Sequence, residues 1–223
     1  MIGQLSGNGF KSAENFADAL ARRINTFPLP GLNAQLKMAS DVRNRDPGYT
    51  YDTSSASRSS VLILLYPADQ KLKTALILRP TYDGVHSGQV SFPGGRVEPQ
   101  DDSLIATALR ESFEEVGILP DSVRILGTLS ELYIPPSNFL VLPILGFTGS
   151  RPDFRADPGE VAEIIETDLE FLFDDNYSKE TILNLRGYTI NAPYFDVGGH
   201  IVWGATAMIL SELKEVIGSL EQG

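Results

Sequence analysis

The chain has no cysteine and only two histidines, His86 and His200. Disulfide staples, thiolate catalysis and cysteine metal sites are therefore excluded, and a histidine-rich zinc centre lacks ligands. Cationic residues are scarce as well: 18 Lys and Arg stand against 29 Asp and Glu, a net charge of −11. Without a basic cluster there is little to neutralise a polynucleotide backbone, so no nucleic-acid partner is expected. No run of 18 or more apolar residues suggests a membrane span. Met1-Ile2-Gly3-Gln4-Leu5 is not a basic segment followed by an apolar run, and Glu221-Gln222-Gly223 is no peroxisomal address, so the expected location is the cytoplasm.

What is present supports one sizeable core, since 42% of the 223 residues are hydrophobic. The most informative stretch is Arg110-Glu111-Ser112-Phe113-Glu114-Glu115-Val116-Gly117-Ile118. Asp101, Asp102 and Ser103 offer N-cap oxygens and Gly117 a permissive C′ residue, which predicts a helix over 102–116. Ile105, Ala108, Leu109, Ser112 and Val116 would form its buried stripe, with Glu111, Glu114 and Glu115 together on the other side. Like charges at this spacing repel by roughly 0.2–0.5 kcal/mol per pair, so the helix is weakened unless a cation or Arg110 offsets them. Ahead of it, Val90-Ser91-Phe92-Pro93-Gly94-Gly95 reads as a short strand entering a double glycine, whose missing Cβ atoms let backbone approach the glutamates.

Together these residues resemble the box of the Nudix hydrolases: Gly, five residues, Glu, seven residues, then Arg-Glu-apolar-x-Glu-Glu-x-Gly-apolar. The second half matches nearly letter for letter. The first acid falls on Asp102, seven positions after Gly95 rather than six, and Ser112 stands where an aliphatic residue is usual. These departures are similar to those of the coenzyme A diphosphatase group. Its extended motif reads here as Leu76-Ile77-Leu78-Arg79 and His86-Ser87-Gly88-Gln89-Val90-Ser91-Phe92-Pro93-Gly94-Gly95, and its Thr-Ala-Leu-Arg-Glu run as Thr107-Ala108-Leu109-Arg110-Glu111. Weaker similarity continues in Tyr133-Ile134-Pro135-Pro136-Ser137, in Glu160-Val161-Ala162-Glu163 and in the segment from Gly199 through Ala207.

The resemblance implies an α/β/α sandwich with a mixed sheet, with residues 58–223 as the Nudix domain and 1–57 as a helix-and-loop appendage packed on it. It implies Mg2+ or Mn2+ held by Gly95, Glu111, Glu114 and Glu115, oxygen ligands of the kind magnesium takes. Arg110 would orient the carboxylates. One of the box glutamates, Glu160 or Glu163 would serve as general base, and Arg79, His86 and Gln89 would meet the substrate. The substrate implied is a small nucleoside diphosphate derivative, coenzyme A or an acyl-CoA first. The usual small residue after the arginine and basic residue before the histidine are here Pro80 and Gly84, which keeps ADP-ribose and related dinucleotides as the alternative. A non-catalytic nucleotide-sensing domain is the alternative from another class, and a homodimer is compatible with the resemblance. Tyr133, Phe139 and Trp203 read equally as core and as a wall for a base.

Outside the box, residues 12–25 read as an amphipathic helix bearing Phe16, Leu20 and Ile24, and 38–60 as a surface loop. Apolar runs at 60–66 and 72–78 predict a hairpin through Pro67-Ala68-Asp69-Gln70. Further strands are expected at 89–92, 123–133 and 140–148, and a long helix at 205–220.

Overall fold

The structure is a computed structural model and describes residues 12–44, 51–81, 87–185 and 188–222. Its centre is an eight-stranded mixed sheet. β1 (Ser57–Ala68) and β2 (Lys71–Leu78) form the expected hairpin, closed by Asp69 and Gln70, both at positive φ as a two-residue hairpin turn requires. β1 runs parallel to β7 (Phe139–Phe147), and β5 (Arg124–Thr128) flanks β7. Three short partners, β3 (Val90–Ser91) on β2, β4 (Gly94–Arg96) on β1 and β6 (Leu132–Ile134) on β7, and β8 (Glu163–Asp168) on β2 complete the sheet.

Strand alternation on β1 sorts the two cores. Ile63 and Leu65 point to the face covered by α1 (Ala13–Thr26) and α5 (Gly204–Gly218), whereas Leu62, Leu64 and Tyr66 meet Ala108 and Val116 of α4 (Leu104–Val116). The result is an α/β/α sandwich with a mixed sheet. α1 is capped by Ser12 and buries Phe16, Leu20 and Ile24. Two shorter helices, α2 (Leu32–Gln35) and α3 (Asp41–Asn44), follow it. Buried Glu212 of α5 accepts from Gly31 N, Gln35 Nε2 and Ser130 N, fixing α2 and the segment before β6 to that helix. Among the described residues no helix is long and apolar enough to cross a membrane.

Several expectations need correction. The region 38–60 is not all loop, because α3 and the start of β1 lie in it; residues 45–50 are outside the described residues. The strand expected over 123–133 is two strands, separated where Leu129 N donates to Pro143 O and Ser130 N to Glu212. Four strands carried no recognised periodicity: β8 (Glu163–Asp168), antiparallel to β2, and the three-stranded sheet of β9 (Ser178–Leu185), β10 (Tyr188–Val197) and β11 (His200–Trp203). β9 is largely solvated, and among its described residues β10 buries only Ala192, Phe195 and Val197, an uneven spacing, so neither shows the regular apolar alternation that reports a half-buried strand.

Candidate active site

The acidic helix α4 begins two residues later than expected, with Ser103 Oγ accepting from Ala106 N, and ends at Gly117, which takes the left-handed C′ conformation. Its buried face contains Thr107, Ala108, Ser112, Glu115 and Val116. Ser112 fits an apolar setting because its hydroxyl donates to the Ala108 carbonyl one turn back at 2.6 Å. The expectation of three glutamates on one exposed patch is therefore wrong in part. Glu115 is 1% exposed, while Glu114 is 54% exposed and accepts from Arg110.

The double glycine explains how the buried carboxylate is held. A Cβ on Gly94 would lie 2.3 Å from Ser60 O, and one on Gly95 would lie 2.4 Å from the Glu111 carboxyl carbon. At Gly94, where the obstacle is the β1 backbone and φ is +150°, only glycine lets the segment pass; at Gly95 a side chain would displace the Glu111 carboxylate. Gly94 N then donates to Glu115 Oε2 at 2.8 Å. Arg79, at the end of β2, donates to Gly94 O and lies 3.4 Å from Glu115 Oε1, so it holds both sides of that contact.

Two of the last α4 carbonyls are satisfied from outside the helix: Arg155 N donates to Val116 O and Asp157 N to Glu115 O. The turn so docked, with Glu160 N and Val161 N donating to Asp157 O, brings Glu160 to the helix. Glu111, Glu115 and Glu160 consequently offer oxygens within 4.8 Å of one another. Burial raises the Glu115 pKa to about 7, against the opposing influence of Arg79; Glu111 and Glu160 raise it further. Glu111 is also raised, first by burial, with Glu114 and Glu160 adding to the effect and Arg110 opposing it. Two carboxylates whose proton affinity is raised, with a Glu160 oxygen beside them, are an oxygen-ligand set of the kind a small divalent cation takes.

Arg110 is wholly occupied by the protein. Its Nε and one terminal nitrogen grip Asp101 at 2.9 and 3.0 Å, the latter nitrogen also donates to Arg96 O, and the other lies 2.9 Å from both Glu111 and Glu114. No donor remains for a substrate phosphate, which makes Arg110 a positioning residue. Its partner is Asp101, 3% exposed and also bonded by Thr107 Oγ1, whereas Asp102 is exposed. The first acid of the motif is thus Asp101, six positions after Gly95, and the extra residue lies between it and Arg110. The Arg110 hydrogen bonds hold the Asp101 carboxyl below the usual carboxylate range.

The remaining expected residues separate. Glu163 opens β8 opposite Leu78 and stands 3.4 Å from His200 Nε2, not in the carboxylate trio. The carbonyl of Gln89 accepts from Arg79 N. His86 lies outside the described residues. Tyr133, Phe139 and Trp203 are half-buried on three different strands. Sequence reading missed Asp101 as the Arg110 anchor and the contact of Arg79 with Glu115; the Asp101, Thr107 and Arg110 spacing was the available signal for the first, and none was available for the second.

Sheet, helix and trio define an α/β protein in which three carboxylates converge between the acidic helix and the turn docked on its end. A NUDIX domain family profile matches residues 56–183. The Photorhabdus laumondii protein named uncharacterized Nudix hydrolase NudL is 35% identical over 156 residues, 69% of this chain and 83% of that protein. Its Salmonella paratyphi B namesake is 34% identical over 178 residues, 77% and 88% of the two chains. Among solved structures, the Mycobacterium smegmatis Nudix hydrolase RenU superposes with a TM-score of 0.52 at 13% identity, covering 74% of this chain and 87% of that one, a likeness of fold. The chain belongs to the Nudix hydrolase family, enzymes that act on diphosphate bonds.

Proposed function

We propose that this protein is a Mg2+- or Mn2+-dependent diphosphatase that cleaves coenzyme A or acyl-CoA to adenosine 3′,5′-bisphosphate and (acyl-)phosphopantetheine. The observation that carries the hydrolytic part is the convergence of Glu111, Glu115 and Glu160 within 4.8 Å around a site where burial raises the Glu115 pKa to about 7. The substrate rests on the extended motif around Arg79 and Gln89 and the small Ser112, which resemble the coenzyme A diphosphatase group. Cleavage in the cytoplasm is the setting that this substrate implies.

When bound, the divalent ion would neutralise phosphate oxygens and make water a stronger nucleophile at neutral pH. Glu111, Glu115 and the Gly95 carbonyl would hold it, with Glu114 at the exposed rim, close enough to raise the Glu111 pKa. Arg110 keeps Glu111 and Glu114 in place through its anchor on Asp101. Arg79 holds the Gly94 carbonyl and Glu115, and so keeps the glycine segment closed on the helix. Glu160 is exposed and mounted on a turn, which suits it to take the proton of the attacking water at its carboxylate.

The test is hydrolysis of coenzyme A, ADP-ribose and NADH with Mg2+ or Mn2+, products separated by chromatography, for the wild type and Glu115→Gln. Adenosine 3′,5′-bisphosphate formed by the wild type alone is the expected result. Turnover of ADP-ribose without coenzyme A would discard the substrate and keep the chemistry, and ligand binding without any turnover would point to a sensor.

A further inference from the structure

On the α4 side of the sheet, one row of residues leads away from the glycine segment. Val97 N donates to Arg58 O, Arg58 is paired with Leu140, and Leu140 with Tyr133. Leu132 is buried with the α1 and α5 layer, so Tyr133 alternates onto the α4 face, as Leu140 does beside Val141 and Leu142. The row crosses three strand spacings, about 14 Å in all. At its near end, Arg96, Val97, Glu98 and Pro99 line an open recess directly after Gly94, which donates to Glu115, and Gly95, which lies against Glu111.

At the far end the chain has gathered two tyrosines and an arginine. The Tyr51 and Tyr133 rings are 5.2 Å apart and tilted by 50°, and the Arg43 guanidinium carbon lies 5.9 Å from the centre of the Tyr51 ring. Arg43 donates to Tyr133 O at 2.7 Å from one terminal nitrogen. Burial lowers its pKa, and Tyr51 acts in the opposite direction. Aromatic rings beside a guanidinium suit a planar base attached to an anionic group.

We propose that Arg43, Tyr51 and Tyr133 form the subsite for the nucleoside half of the substrate, the base lying against the tyrosine rings and Arg43 meeting a phosphate on the ribose. This rests on the diphosphatase reading, and it supplies the cation for the additional phosphate of coenzyme A that Pro80 and Gly84 leave unprovided.

The experiment is steady-state kinetics of Tyr51→Ala and Arg43→Gln on the diphosphate that the wild type turns over, with calorimetric binding of adenosine 3′,5′-bisphosphate and AMP to the metal-free proteins. Loss of one stacking or charged contact should raise KM roughly tenfold with kcat within about twofold. Arg43→Gln should also abolish any preference for the bisphosphate over AMP. Tyr51 is exposed, so Tyr51→Ala reads the same expectation if Arg43→Gln does not fold. Unchanged KM and unchanged nucleotide binding in folded variants would overturn the subsite while leaving the diphosphatase intact. Absence of any diphosphate turnover would instead remove the functional reading, and the calorimetry would still decide the subsite.

Discussion

Glu115 combines two properties that conflict in the metal-free protein: its side chain is almost wholly buried, and its neighbours Glu111 and Glu160 carry the same charge. Its pKa is raised to about 7 in the folded chain, against roughly 4.3 for an unperturbed glutamate. An acid with a raised folded pKa contributes stability while protonated, and that contribution disappears as pH rises from the unfolded value through the folded one. Metal-free protein should therefore lose stability between about pH 4.5 and 7, by at most about 4 kcal/mol from this group. Glu115→Gln cannot ionise and should show a flatter profile across that window. Urea denaturation in chelator from pH 5 to 8 compares the two slopes; parallel curves would mean that Glu115 ionises without penalty. Adding Mn2+ should reverse the wild-type trend, because a cation favours the charged form. The sequence shows the glutamates but not which of them is buried. Spacing places Glu111, Glu114 and Glu115 on one side of a helix, and only the packing of β4 against that helix turns Glu115 inward and leaves Glu114 out.

At the scale of the element, α4 and the segment before it are locked by the Asp101–Arg110 pair. Both carboxylate oxygens of Asp101 are used, by Arg110, by Thr107 Oγ1 and by the backbone N–H of Glu98. Asp101→Asn should cost about 1–3 kcal/mol, because a buried acceptor of several hydrogen bonds is replaced. It should also weaken metal binding by about 10–100-fold, since Arg110 would no longer hold Glu111 and Glu114. Asp102→Asn, on an exposed side chain, should do neither. Thermal melting and isothermal titration with Mn2+ of the two variants check this, and equal effects would return the role to Asp102. The helix itself was legible, because its stop signal Gly117 and its cap Ser103 are local chemistry. The acid that anchors it was not, since two adjacent aspartates are equivalent to a spacing rule and differ only in which one the turn at Glu98 directs inward. Glu160 was legible as a candidate but not its placement, which depends on Asp157 N reaching the Glu115 carbonyl.

For the whole molecule, the family profile begins at residue 56, yet the core does not. Phe16, Leu20 and Ile24 of α1 belong to the same buried cluster as Ile63, Leu65 and Leu145 of the central strands. The seat for the helix is cut to fit, since a Cβ on Gly127 of β5 would lie 2.7 Å from the Ile24 side chain. Arg124 pairs with Asp18 at 2.6 Å and Arg23 Nε donates to Ser219 Oγ at 2.7 Å, which ties α1 to β5 and to the end of α5. These polar ties are partly exposed and contribute little, so the apolar face decides the energetics. Leu20 is completely buried, and Leu20→Ala should destabilise by about 2–5 kcal/mol. A chain starting at residue 28 would expose the α1 side of the sheet and should be far less stable than the full chain, with the carboxylate site on the opposite face losing Mn2+ affinity only as the fold is lost. Denaturant titrations of both variants, followed by Mn2+ binding at a temperature where each is folded, separate those effects. A shortened chain as stable as the full one would make α1 a dispensable appendage. Failure of Mn2+ binding in a fully folded shortened chain would instead show that α1 bears on the site through the sheet.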